Sequence, residues 1–115
     1  MQGLKKIADY YGYKSKYVEH MNIADIELLL SKGIPVLLNI RFNKKGPISH
    51  AILAVGYDKN KKIFYVNDPA NIQNKILDYS DLESRWSASL SSPKGESHRS
   101  GFIIYPKSTD LHYDQ

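Results

Sequence analysis

The stretch GIPVLLNIRFNKKGPISHAILAVGYDKNKKIFYVNDP, residues 33–69, decides the fold of this chain. It contains three apolar runs, GIPVLLNIRF, SHAILAVGY and KKIFYVNDP, each with the length and the β-branched and aromatic content of a strand. The second and third runs are separated by Asp58, Lys59, Asn60 and Lys61, a polar group that is typical of a turn. The sequence therefore predicts three successive strands, the last two forming an antiparallel hairpin.

Two chemically active residues, His50 and Asp68, lie at the open end of this hairpin. In an antiparallel pair only directly opposed or diagonal residues share a face. A three-residue loop over 58–60 predicts three opposed pairs: His50 with Asp68, Ile52 with Val66, and Ala54 with Phe64. A two-residue loop would put His50 and Asp68 on opposite faces, so the predicted contact depends on the register.

A histidine held by a carboxylate is an oriented base. The carboxylate accepts a proton from one ring nitrogen and fixes the tautomer, and the other nitrogen can take a proton from a nucleophile. A structural interpretation stands beside the catalytic one. Asp68 precedes Pro69 and is suited to capping the turn that Pro69 begins, and His50 is equally suited to being a half-buried polar group with satisfied hydrogen bonds.

The order of motifs resembles the papain-like cysteine peptidases of the C39 family. The motifs are LLLSKGIPVLLNI, SHAILAVGYD, IFYVNDPA and the tryptophan-bearing YSDLESRW, and the match runs from Leu4 to Tyr105. In that family the catalytic order is cysteine, histidine, aspartate, and the strand histidine and the aspartate of the DP pair correspond to His50 and Asp68. The resemblance implies the C-terminal half of a papain-like fold and these two residues as catalytic.

The sequence departs from the family at the nucleophile, because it contains no cysteine. Nor does it contain a counterpart of the family's oxyanion glutamine, since no nucleophile-bearing helix follows Gln2. Ser49 is an alternative nucleophile, but successive strand residues point to opposite faces, which argues against it beside His50. We expect either a truncated part of a cysteine peptidase or a peptide-binding pseudo-peptidase, inactive alone. A second polypeptide that supplies the cysteine, and a plain structural or interaction module, are the alternatives.

The remaining segments predict an α+β domain with an antiparallel sheet of about five strands and two or three flanking helices. The helices are expected over 3–11, from a cap at Asn22 to a stop at Gly33, and around Leu82 and Trp86. KILDYS and GFIIY are further strands, 17–21 is a short strand or bridge, and 89–100 is a polar loop. Residues 1–107 are expected to form one C39-peptidase-like domain that is incomplete at its N-terminus, with 108–115 as a tail.

Composition and motifs exclude several functional classes. An apolar content of 42%, a charged content of 24% and a net charge of +4 are ordinary for a globular protein, so we expect no nucleic-acid binding. Four histidines without ligand spacing and the absence of a Gly-rich phosphate loop indicate neither a metal nor a cofactor. No apolar run has the length of a membrane span or the pattern of a signal peptide, which makes a cytoplasmic location the default expectation.

The two hairpin strands are apolar on both faces. One face is expected to carry Ile52, Ala54, Phe64 and Val66, and the other Leu53, Val55, Tyr57, Ile63 and Tyr65. A sheet that is apolar on both faces must be covered on both. We therefore expect a homodimer or a partner domain to cover the side left open by the missing cysteine helix, besides a possible peptide or protein ligand.

Overall fold

The computed structural model describes residues 6, 9–41, 48–70, 72–73, 75–86 and 99–108. In chain order the elements are β1 (Tyr13–Val18), α1 (Ile23–Ser31), β2 (Val36–Arg41), β3 (Ile48–Asp58), β4 (Ile63–Asn67), β5 (Ile76–Asp78), α2 (Tyr79–Trp86) and β6 (Gly101–Pro106). The α+β class and the antiparallel sheet are confirmed. The predicted helix over 3–11, loop over 89–100 and tail over 108–115 lie mostly outside the described residues.

The sheet has six strands in the order β1-β6-β2-β3-β4-β5, and every neighbouring pair is antiparallel. The sixth strand arises because residues 13–18 form a full strand where only a short one over 17–21 was expected. The C-terminal strand β6 inserts between β1 and β2. Gly101 permits this close approach, because a Cβ there would lie 3.0 Å from Met21 Sδ and 3.3 Å from the Leu37 carbonyl oxygen.

Helix α1 begins and ends where the sequence predicts. The Asn22 side chain accepts a hydrogen bond from the Asp25 amide at 2.8 Å, and Asp25 in turn accepts from the Asn22 amide at 2.9 Å, a complete capping box. Gly33 follows the helix with a φ of 76°, the left-handed conformation that glycine adopts without strain. Ile26 and Leu29 are fully buried, so the helix presents its apolar stripe to the sheet.

The hydrophobic core lies on one face of the sheet, the helix-bearing face. Helix α1 contributes to it through Ile26 and Leu29, and α2 through Leu82 and Trp86. The indole N–H of Trp86 donates to the Ser100 carbonyl oxygen at 3.1 Å, which satisfies the polar atom of this buried ring. The strands contribute the rest of this face: Val18, Val36, Leu38, Ile40, Ile52, Ala54, Phe64, Val66, Leu77 and Ile103.

The predicted register of the β3–β4 hairpin is wrong. Asp58 pairs with Ile63, so the loop has four residues, and Lys62 at its end has a positive φ of 56°. The Asp58 carboxylate stabilises this longer loop by accepting from the amides of Asn60 and Lys61, both at 3.1 Å. Each residue of β4 therefore faces a later residue of β3 than the three-residue loop predicts.

A bulge at Val55 changes the register once more. Ala54 pairs with Val66, but Gly56 already pairs with Tyr65, so Val55 has no partner of its own. The extra residue also corrects the predicted side of Tyr57, which pairs with Phe64 and packs against the core instead of joining Leu53 on the other face. The bulge thus decides which β3 side chains face the helices.

Candidate active site

His50 lies near the start of β3 and faces the helix-bearing side of the sheet. It pairs directly with Ile40 of β2, a fully buried core residue, and opposed residues of an antiparallel pair share a face. Its side chain is 11% exposed. The pairing of β2 with β3 thus places the imidazole at the margin of the core.

Asp68 comes directly after the last residue of β4 and faces the same side. Its Oδ1 lies 2.8 Å from Nε2 of His50, and its side chain is 10% exposed. The same oxygen accepts a hydrogen bond from the Ala70 amide at 2.9 Å. Asp68 therefore both contacts the histidine and closes the turn around Pro69, so capping the turn does not exclude the predicted catalytic role.

The two side chains meet diagonally, not as a directly opposed pair. Leu53 pairs with Asn67, and continuing this register by one residue places Asp68 opposite Ile52, two positions from His50 on the same face. Without the bulge at Val55, the loop would leave His50 and Asp68 on opposite faces, because a one-residue slip reverses every side chain. The bulge is therefore the backbone feature that brings them together.

The contact fixes the hydrogen-bonding state of the imidazole. A carboxylate only accepts, so Nε2 of His50 carries the proton and donates to Asp68. In the neutral ring Nδ1 is then the nitrogen that can accept a proton. The chain contains no cysteine, so it has no thiol nucleophile of its own. The catalytic role of His50 and Asp68 remains a prediction.

A hollow of about 200 Å³ adjoins the aspartate. It is lined by Asn67, Asp68, Pro69, Ile72 and Lys75. Ile72 is 74% exposed, an unusual position for a large apolar side chain, and the Lys75 side chain is also exposed. No spacing pattern predicts Ile72 or Lys75 as site residues, and the signal for them is their place directly after the NDP turn.

Helix α2 lies against the end of β2, where the pairing with β3 contains a second β-bulge. The register shifts between Ile40 and Arg41, and Arg41 is 7% exposed. Its guanidinium donates to the Ser84 carbonyl oxygen at 3.5 Å, and Nε of Arg85 donates to the Arg41 carbonyl oxygen at 3.0 Å. These bonds hold α2 against the end of the strand whose Ile40 is the partner of His50.

A hydrogen bond between two ionisable side chains joins α1 and α2. The Tyr79 hydroxyl donates to Glu27 at 2.7 Å, and the Tyr79 ring packs against Phe64 with centroids 4.5 Å apart. Burial raises the pKa of Tyr79 above its usual value of 10.0, and the hydrogen bond and negative charge of Glu27 raise it further. The phenol therefore stays neutral and acts as a hydrogen-bond donor between α1 and α2.

The described residues show neither a metal cluster nor a membrane-spanning helix. Within these residues, no group of three or more His, Cys, Asp or Glu side chains is placed to hold a metal ion. None of the helices that the structure describes has both the length and the apolar character needed to cross a membrane.

The comparisons with known proteins agree with the order of motifs. A sequence model of the Peptidase_C39 like family matches residues 2–92, which include both His50 and Asp68. Neither a curated protein nor a solved structure matches the chain. The family match covers most of the sequence and confirms the resemblance. The chain belongs to the Peptidase_C39 like family.

Proposed function

We propose that this chain is a peptide-binding domain of the Peptidase_C39 like family that keeps the base and its orienting acid but does not cleave peptides by itself. The observation that supports the proposal is the 2.8 Å contact between Nε2 of His50 and Oδ1 of Asp68, both largely buried. In the cysteine peptidases of the resembled family, this pair serves a thiol.

Chemistry on a peptide bond needs a nucleophile as well as a base. In thiol catalysis the base takes the proton of the cysteine, and the thiolate forms the covalent intermediate. A chain with no cysteine has no such step to perform. Incubating the chain with fluorogenic peptides is therefore expected to give no hydrolysis above that of buffer, and cleavage abolished by His50→Ala would overturn the proposal.

The hollow beside Asp68 is the proposed seat of the peptide. Exposed Ile72 offers apolar contact and Lys75 offers a positive charge within the same small depression. Peptide binding is expected to perturb the NMR signals of these two residues when the chain is titrated with a mixture of random-sequence peptides. Ile72→Ser should weaken the perturbation at Lys75, whereas Leu28→Ser, at an exposed leucine of α1, serves as the matched control.

The state of the base can be tested without a substrate. Nitrogen-15 NMR at neutral pH is expected to show His50 protonated at Nε2, because that atom donates to the carboxylate. Asp68→Ala should release this tautomer preference. His20, whose side chain is 68% exposed, provides the internal control and should not change between the two proteins. A His50 ring protonated only at Nδ1 would contradict the proposed orientation.

A second polypeptide that supplies the cysteine would make this chain part of an active peptidase. If a second polypeptide provides the cysteine and the oxyanion donors, mixing it with this chain restores hydrolysis, and His50→Ala removes that activity. The base then acts in the assembled protein, since Nδ1 is the nitrogen that accepts the proton of the thiol.

A second candidate function is an interaction module in which His50 and Asp68 are structural. It is favoured by the row of exposed apolar side chains on the face of the sheet that carries neither described helix. The two functions separate experimentally, because Ile72→Ser should weaken peptide binding in the hollow beside Asp68 but leave binding at that apolar face unchanged.

A further inference from the structure

Strand β1 (Tyr13–Val18) forms one edge of the sheet and is six residues long. Among the strands that the structure describes, β1 pairs with β6, and none lies on its other side. Every second residue of an edge strand points its backbone N–H and C=O groups away from the sheet. A further extended segment can therefore bind along β1 by continuing the hydrogen-bond ladder.

The opposite edge of the sheet is a poorer template for such a segment. It is formed by β5 (Ile76–Asp78), which has three residues, half the length of β1. A short edge strand is one of the means by which proteins discourage pairing with another chain. The longer ladder is thus available at β1.

The side chains of β1 alternate between two chemically different faces. Val18 belongs to the core, so Lys14 and Lys16 lie with it on the helix-bearing face of the sheet. Tyr13 and Tyr17 lie on the other face, where they are 43% and 47% exposed. The edge therefore offers positive charge on one side and aromatic rings on the other.

The lysines of β1 favour one kind of incoming strand. Their cross-strand neighbours on β6 are not acidic, because Lys14 pairs with Tyr105 and Lys16 pairs with Ile103. A strand with acidic residues on this face gains opposite-charge pairs, whereas a second copy of β1 with its faces matched would set lysine against lysine. Lysine on an edge strand is a common barrier to self-pairing. The charge of this edge therefore selects an acidic strand over a second copy of the chain.

We propose that β1 binds an extended segment of a partner protein, with alternating acidic and β-branched residues, as an additional strand of the sheet. The acidic residues lie beside Lys14 and Lys16. The β-branched residues lie beside Tyr13 and Tyr17, since aromatic and β-branched side chains form favourable cross-strand pairs. Strands β6 and β2 separate β1 from β3, which places this edge about 14 Å across the sheet from the strand of the candidate active site.

NMR titration of the whole chain with an acetylated hexapeptide of Val-Glu repeats tests the proposal. The amide signals of β1 are expected to shift, while those of β5, at the opposite edge, stay unchanged. The corresponding Val-Lys peptide should bind at least about fivefold more weakly, because its charges repel the lysines of β1. A Val-Glu peptide that is N-methylated at every residue should lose binding, since it has no backbone N–H group to donate.

A charge-reversal variant locates the preference for acidic residues. Lys14→Glu should reduce the preference for the Val-Glu peptide at least about fivefold, because it replaces an attractive cross-strand pair with a repulsive one. Lys59→Glu, at an exposed lysine of the β3–β4 loop, makes the same change in net charge and should leave the preference unchanged. Circular dichroism checks that both variants fold, and Lys14→Ser, which should also weaken the preference, replaces Lys14→Glu if that variant does not.

Each outcome decides the proposal. No shift of β1 signals at about 1 mM Val-Glu peptide overturns it. Equal binding of the Val-Glu and Val-Lys peptides overturns it, and so do equal effects of the variants at Lys14 and Lys59, which would indicate attraction by overall charge. Shifts confined to the hollow beside Asp68 would also overturn it, but would leave the proposed peptide site there standing.

Discussion

Replacing Asp68 with alanine is expected to destabilise the fold more than replacing His50 does. The Oδ1 atom of Asp68 accepts two hydrogen bonds, from Nε2 of His50 at 2.8 Å and from the Ala70 amide at 2.9 Å. A hydrogen bond to a charged group contributes about 1.5–3 kcal/mol. The His50 and Asp68 side chains are about nine-tenths buried, so solvent screens the bond between them little, whereas the bond from the exposed Ala70 amide is screened more and contributes less. We expect a loss of about 3–4 kcal/mol for Asp68→Ala and about 2 kcal/mol for His50→Ala.

Urea unfolding of the two single variants and the double variant measures these values and their coupling. The double variant should have nearly the same stability as Asp68→Ala, because that single substitution already removes the bond between the two side chains. The resulting coupling free energy is expected to be about 1.5–2 kcal/mol. A coupling below about 0.5 kcal/mol, or a larger loss for His50→Ala than for Asp68→Ala, would refute the reasoning that one oxygen serves both bonds.

Two further predictions concern Gly101 and Tyr79. Gly101→Ala should destabilise the protein by about 1–3 kcal/mol in urea unfolding, because the added Cβ would lie 3.0 Å from Met21 Sδ. Gly56→Ala, with its nearest contact at 3.4 Å, should cost less, and an equal loss would contradict the argument. Stability should also fall as the pH rises above 10.0, since the unfolded chain then releases the Tyr79 proton that the folded chain keeps. Tyr79→Phe should reduce this fall, measured by urea midpoints across the alkaline range, while Tyr10→Phe, at an exposed tyrosine, should not; identical slopes in both variants would count against the assignment.

The capping of α1 shows what could be read from the sequence alone. Asn22, Asp25 and Gly33 were predicted to start and stop this helix, and the structure has the capping box and the left-handed glycine. Both signals act over three or four residues, through side-chain to backbone bonds and an intrinsic backbone preference. Such local interactions are complete within the segment that encodes them, which is why they could be predicted.

The register of the β3–β4 hairpin could not be predicted from the sequence. The two strands and the turn between them were predicted, but a four-residue loop and the bulge at Val55 replaced the expected register. His50 and Asp68 meet across the hairpin, although as diagonal neighbours. Bulges depend on how Ala54, Tyr57 and Phe64 pack against residues from other strands and helices, and no short pattern in the sequence records that packing.

The sequence by itself determined most of the segments that become strands and helices, with β1 as the exception, the family to which the chain belongs, and the absence of a thiol. Tertiary structure alone decided that the hollow beside Asp68 includes Ile72 and Lys75, and that both described helices lie on one face of the sheet. The physical reason is the range of the interactions. Propensity and capping act between near neighbours, whereas register, face and cavity arise from contacts between residues that the chain brings together only when it folds.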